Sequence, residues 1–293
     1  MIQFDNVSKH FDSDFLTNVD LTIAPGTTLG LLGSNGSGKS TLLRLLSGIY
    51  QPDQGRITVD NQPVYNNIAY KKQLFFAPDE PFFFGRHTLN DMRNYYASLY
   101  AFDDATYNHL LDVFGLQSKK AISTFSKGQK RQSLMILGLS TKPKYLLLDE
   151  IFDGLDVVMK NVVKKVIAEQ MADTQMTTVI TTHNLSELDN LCDHLALMHT
   201  GRVILHQNLD QLKGTLFKVQ LVSSDQTPPL FGAFEVVKSD TSGNIQTFIV
   251  KSNKQALEDY LTTCHLTYFD IVACSIEDLF ITELEATGYG THL

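Results

Sequence analysis

The stretch TLGLLGSNGSGKSTLLRLL, residues 28–46, runs from a short apolar segment through a glycine-rich loop. It ends in a segment whose Leu42, Leu43, Leu45 and Leu46 share one helical face. The order strand, loop, helix frames Gly33, Ser34, Asn35, Gly36, Ser37, Gly38, Lys39, Ser40 and Thr41, which fit the pattern G-x-x-x-x-G-K-[ST] in full. Glycines let successive backbone N–H groups converge on phosphate oxygens, and the helix that follows turns the positive end of its dipole toward the same anion. Lys39 adds a point charge for the β- and γ-phosphates of a nucleotide, and the Ser40 hydroxyl is placed to ligate Mg²⁺.

Outward from this loop, residues 144–150, KYLLLDE, form a second decisive stretch. Four apolar residues seat a strand in a sheet core and bring Asp149 to its carboxyl end, beside the phosphate loop. There Asp149 can hold the Mg²⁺ shell while Glu150 polarises the attacking water. An apolar run that ends in two acids is common; paired with a complete phosphate loop it is specific.

The remaining pattern predicts strands at the start of the chain, where Ile2, Phe4 and Val7 and then Val19, Leu21 and Ile23 recur with polar residues between, and at 55–60. Polar turns at 12–14 and Pro25-Gly26 break that opening stretch. Strands are also expected at Thr177–Thr181 and 194–199, with helices at 157–171 and 185–191. Strands alternating with helices predict an α/β fold with a mainly parallel sheet covered on both faces. Between about 87 and 142 the character is helical: one helix begins at His87 and turns Tyr95, Tyr96, Leu99 and Tyr100 to an apolar face, and others cover 104–114 and 128–140. Residues 214–293 change again to short strands with a helix near 254–262 and a final helix capped by Ser275, with Asp278 completing an S-x-x-[DE] box. This predicts two domains, 1–213 with a helical insertion and a smaller α+β domain at 214–293, with Pro228-Pro229 a loop inside the second.

Composition narrows the class. The chain has 293 residues, 43% of them hydrophobic, and a formal charge of −8. Such an acidic balance argues against a nucleic-acid surface, which needs clustered positive charge. No apolar run reaches the length of a membrane span, and the opening MIQFDNVSKH has no basic and apolar leader pattern, so no secretory signal is expected. Cys192, Cys264 and Cys274 stand apart without metal-ligand spacing and read as reduced thiols.

Residues 125–129, Phe125-Ser126-Lys127-Gly128-Gln129, precede an apolar helix and resemble the LSGGQ signature of ATP-binding-cassette (ABC) ATPases, with Phe125 for the leucine and Lys127 for a glycine. Read on composition alone, Ser126 is a helix N-cap, and a capped N-terminus is also an anion site. Thr181-Thr182-His183 resembles the family's switch histidine, and Gly154-Leu155-Asp156 its D-loop, with Ile151 where proline is usual. Ala77-Pro78-Asp79-Glu80-Pro81 stands at the Q-loop, with Asp79 for the glutamine. Phe11 sits where the family stacks an aromatic on adenine, with Phe15 the second candidate. On these motifs, in this order over residues 1–213, the chain is identified as a member of that family.

The resemblance implies a RecA-like phosphate-loop core, an N-terminal antiparallel β subdomain, the inserted helical subdomain and the small C-terminal α+β domain. It implies ATP and Mg²⁺ as ligands, with Lys39, Glu150 and His183 catalytic and Ser40, Asp149 and Asp79 facing the metal. Ser126, Gly128, Gln129 and Asp156 would meet ATP held by a second subunit, two chains closing head to tail. It implies a separate transmembrane permease subunit and a place at the cytoplasmic face of the cell membrane. Phe82-Phe83-Phe84 either line the permease docking groove or join the cores of the two subdomains. The ending Ser275-Ile276-Glu277-Asp278-Leu279-Phe280 is similar to the tail of bacterial drug, peptide and polysaccharide exporters, which favours export. A non-transport ABC-type ATPase, regulatory or nucleic-acid-associated, is the alternative.

Overall fold

A computed structural model describes residues 1–11, 15–209, 215–223, 231–232, 234–264 and 266–280. The expected turns at 12–14, the Pro228-Pro229 loop and the domain boundary at 213/214 lie outside the described residues. Two compact units are present, Met1–Gln207 and Asn208–Leu293.

The first unit opens with β1 (Ile2–His10) and β2 (Phe15–Ile23), which pair antiparallel; β1 also pairs antiparallel with β4 (Gln54–Val59), giving the sheet order β2-β1-β4-β5, with β5 at Gln62–Pro63. Alternation puts Ile2 and Phe4 on the same buried face as their partners Ile23, Leu21, Val59 and Ile57.

The larger sheet has six strands. It places β3 (Thr28–Leu32) between β8 (Thr177–Thr182) and β9 (His194–His199), with β7 (Tyr145–Asp149) beyond β8, β6 (Leu74–Ala77) at one edge and β10 (Arg202–Asn208) at the other. β3 runs parallel to both its neighbours, and β7 parallel to β6 and β8. Every residue of β3, β7 and β8 is buried, which is why these strands read as continuous apolar or threonine runs rather than alternating ones. The parallel direction also brings the carboxyl ends of β3 and β7 to one side, so that Gly33 and Glu150 emerge together. α1 (Lys39–Leu46) then packs its four buried leucines beneath β7, each contributing about 1.5–3 kcal/mol of burial.

After a short helix, α2 (Ile68–Lys71), the helical block consists of α3 (Leu89–Leu99), α4 (Asp104–Phe114) and α5 (Lys127–Ser140), with α5 packed against α3, α4 and β6. The apolar face expected on α3 differs: Leu89 and Met92 are its buried residues, while Tyr95 and Leu99 are exposed. Tyr95 keeps its hydroxyl wet at the surface, and Tyr96 and Tyr100 are only half-buried, so the three tyrosines do not define a core face. α6 (Val157–Thr174) is as expected but one turn longer. The helix expected at 185–191 is only a 3-10 turn, Leu185–Glu187. Two causes are local: Glu187 is drawn inward to accept from Lys160 Nζ (2.6 Å) and Thr182 Oγ1 (2.5 Å), and Asn190 takes a left-handed φ of 60° that a helix cannot continue through.

Gly138 on α5 faces Phe75 on β6; a Cβ there would lie 2.4 Å from a ring carbon. Alanine is better than glycine in a helix interior by about 1 kcal/mol, but overpacking a filled core costs about 1–3 kcal/mol. Phe75 is buried and tilted against the Tyr96 ring at 5.8 Å, so it has little room to yield. Overpacking should win, and Gly138→Ala is expected to lower the thermal midpoint. A midpoint at or above the parent's would show that the ring moves aside.

The second unit is an antiparallel sheet of order β12-β13-β11-β14, built from β11 (Leu216–Ser223), β12 (Glu235–Ser242), β13 (Ile245–Lys251) and β14 (Leu266–Ala273). α7 (Lys254–Thr263) covers one face with Leu257 and Leu261 against Val219, Leu221, Phe248 and Val250. The other face buries Leu216, Ile249, Cys274 and Leu279. The expected box is present: Ser275 Oγ accepts from the Asp278 N–H at 3.0 Å, and Asp278 returns the bond to the Ser275 N–H at 3.1 Å. Lys218 fixes Asp278 from β11 at 3.1 Å.

Candidate functional site

An open cleft of about 260 Å³ lies at the carboxyl end of β3, lined by residues 35–41 with Arg44, Asp79 and Glu150. Gly38 caps α1 at φ 104°, and a Cβ there would meet Leu16 at 2.5 Å, so only glycine turns the chain into the helix at this point. The α1 N-terminus has no side-chain cap, which leaves its first N–H groups to an anion.

Lys39 is buried. Its ammonium donates to the carbonyls of Gly33 (2.7 Å) and Ser34 (3.2 Å) and lies 3.2 Å from Glu150 Oε1, an ion pair without hydrogen-bond alignment. Glu150 Oε2 in turn lies 3.0 Å from His183 Nδ1. The three residues expected to be catalytic are therefore in one chain of contacts, with the Glu150 carboxylate between a cation and an imidazole.

Asp149 is fully buried at the end of β7. Its Oδ1 accepts from Thr181 Oγ1 at 2.7 Å, while Oδ2 has no partner. Burial pushes its carboxyl above the ordinary range, and the hydroxyls of Thr181 and Ser40 pull it back. An orphaned carboxylate oxygen in a dry site, with a serine hydroxyl beside it, is the donor set that a small hard cation such as Mg²⁺ takes. The residues fit that ion.

Asp79 lines the cleft, and its Oδ1 lies 3.2 Å from Arg131 Nη2. Ser126, Gly128, Gln129 and Asp156 do not line the cleft. Ser126 caps α5 in a reciprocal box with Gln129 (3.2 and 3.0 Å), and Asp156 caps α6 by accepting from Met159 at 2.8 Å. The cap read for Ser126 is thus present, and the residue is exposed. Gly128 lies against Gly154 and Leu155, so the signature and the D-loop are neighbours. Phe11 is exposed at the end of β1, its ring 5.2 Å from Tyr50 and under the Lys9 ammonium at 5.4 Å. The side chain of Phe15 lies outside the described residues. Phe82 is 73% exposed, with Phe84 edge-on to it at 5.5 Å and to Tyr95 at 5.3 Å. Together they form an aromatic patch at the surface, and Phe83 is half-buried.

Sequence reasoning missed Thr181, Arg44 and Arg131. Thr181 is one strand away from Asp149 and carries no local signal. Arg131 carried one: it lies on the face of α5 that repeats at Leu134, Met135 and Gly138, all buried, so a cation there had to have partners.

Residues 16–153 match the family model of the ABC transporter. The ATP-binding protein NatA of Bacillus subtilis (strain 168) is 31% identical over 226 residues, 72% of this chain and 91% of that protein. The chain belongs to the ABC transporter ATP-binding proteins. Another member, YtrB of the same organism, is 26% identical over 97% of this chain and 98% of its own, so the likeness reaches through the second unit. A solved ATP-binding subunit of an ABC transporter superimposes with a TM-score of 0.66 at 25% identity, covering 73% of this chain and 92% of that one. As an ABC ATP-binding subunit the chain binds and hydrolyses ATP. Among the described residues, no helix is long and apolar enough to cross a membrane.

Proposed function

We propose that this ABC subunit drives export through a separate transmembrane permease at the cytoplasmic face of the cell membrane. The observation that carries the catalytic half is the placement of Glu150 between Lys39 and His183 at the mouth of the phosphate-loop cleft. In this reading the loop N–H groups and Lys39 bind the ATP phosphates, and Phe11 stacks on the adenine. Ser40 and Asp149 hold a Mg²⁺ ion, which supplies charge neutralisation at the phosphates. Glu150 orients the water, and His183 holds the Glu150 carboxylate toward the γ-phosphate. Ser126, Gly128, Gln129 and Asp156, being outside the cleft, serve the ATP of a second copy in a head-to-tail dimer. The aromatic patch at Phe82 and Phe84 supports permease docking over core joining, since buried rings would be needed for the latter.

Direction rests on the Ser275–Phe280 tail. The test is reconstitution with the permease in liposomes, the ATPase facing outward, with peptide and lipophilic dye cargoes. ATP-driven accumulation in the lumen is the expected result, and ATP-driven loss of lumenal cargo would reverse the assignment to import.

A further inference from the structure

Arg131 is 1% exposed, yet its guanidinium reaches three segments that flank the cleft. It donates to the backbone carbonyl of Glu150, and Nη2 lies 3.2 Å from Asp79 Oδ1 and 3.3 Å from Asp153 Oδ2. Asp153 also accepts from Lys127 Nζ at 2.7 Å. Two cations from α5 and two carboxylates, one before the aromatic patch and one after Glu150, thus alternate as Asp79, Arg131, Asp153, Lys127. The set is neutral, which is what allows a guanidinium to be buried, and the planar fork of arginine presents its several donors in a fixed geometry suited to these spread acceptors.

The Glu150 backbone needs such support. Its φ is 47°, a left-handed conformation unfavourable for a residue with a Cβ. Its N–H donates to Thr181, to the carbonyl at 3.2 Å and the hydroxyl at 3.1 Å, and its carbonyl is taken by Arg131. The peptide groups on both sides are therefore clamped, and the side chain is aimed at Lys39 and His183. Asp79 is 50% exposed and reaches the same guanidinium from the cleft rim.

We propose that Arg131 is a positioning residue for hydrolysis, and that Asp79 acts through it, its contact linking the 77–81 loop to the backbone of Glu150. Two of the departures from the family pattern, Asp79 and Lys127, then have one explanation: each supplies a charge to the neutral cluster around Arg131, Asp79 to Arg131 itself and Lys127 to Asp153. Movement of the loop that carries Phe82 changes the hold on Asp79, and through Arg131 the aim of Glu150. This deepens the reading of Glu150 as the group that orients water and rests on it.

The test is a double-mutant cycle on the full chain, with kcat and KM for ATP measured for Asp79→Ala, Arg131→Gln and the pair. Each single change is expected to lower kcat about tenfold with KM within about twofold, and Asp79→Ala should cost less than about twofold once Arg131 is gone. An equal loss in both backgrounds, or a loss carried by KM, overturns the proposal. A second readout is the affinity for a fluorescent ATP analogue with Mg²⁺ and with chelator. Asp79→Ala should keep the parent's ratio of the two, and a collapse of that ratio would assign Asp79 to the metal instead. If Arg131→Gln does not fold, Arg131→Lys closes the cycle by the same criterion, because it keeps the charge but loses the fork. Full turnover by Glu150→Gln would remove the reading of Glu150, while the cycle would still report whether Asp79 works through Arg131.

Discussion

Glu150→Gln is expected to lower ATP turnover by about two orders of magnitude or more while leaving ATP binding intact. The amide keeps the size of the side chain but has neither the charge to polarise a water nor the basicity to accept its proton. The change is also mild for its neighbours. Lys39 retains the carbonyls of Gly33 and Ser34, so its buried ammonium is not left unpaired. The backbone of residue 150 keeps its bonds to Thr181 and Arg131, none of which involves the carboxylate. Binding therefore persists as hydrolysis stops, and the variant should accumulate as an ATP-bound dimer, seen as an ATP-dependent shift in gel filtration. Phosphate release near the parent rate would remove Glu150 from its role, and His183, 3.0 Å away, would be the next group to examine.

The parts of the fold and site that were legible in the sequence are those whose cause is local. The phosphate loop is read from contiguous residues because its work is done by the backbone, and backbone shape is set by glycines at fixed offsets. Asp149 and Glu150 are read from a strand buried on both faces, whose end lies at the carboxyl end of the parallel sheet, on the same side as that loop. The Ser126 and Ser275 caps are read because capping is a matter of three residues. What was not legible depends on partners distant in the chain. The segment at 185–191 has helical spacing, yet Glu187 is bound by Lys160, 27 residues away, and the turn stops there. Asp79 was read through the family as a metal-facing group; its contact with Arg131 is 52 residues away and cannot be inferred from spacing. Nor can sequence show that the Tyr95 ring belongs with Phe84 at the surface rather than in a core.

Ser126→Arg is expected to abolish ATP-driven dimer closure, and steady-state hydrolysis with it, while a single chain binds nucleotide nearly as the parent does. The expectation follows from where Ser126 is. It is exposed at the N-terminus of α5 and lines no part of the chain's own cleft, so nothing in that cleft changes when it is replaced. In the proposed head-to-tail dimer a bulky guanidinium would instead stand where the γ-phosphate held by the opposite subunit approaches the helix end. Arginine also removes the cap that accepts from the Gln129 N–H, at a cost of about 1 kcal/mol to the helix. That is small against loss of the closed state, but it has to be separated from it. Ser126→Ala does so: it loses the cap without adding bulk, and should keep most of the dimerisation. Analogue binding to the monomer, dimerisation by light scattering and phosphate release are then compared across the three proteins. If Ser126→Arg weakens binding to the monomer as much as it slows hydrolysis, the signature acts within its own chain and the head-to-tail arrangement is wrong.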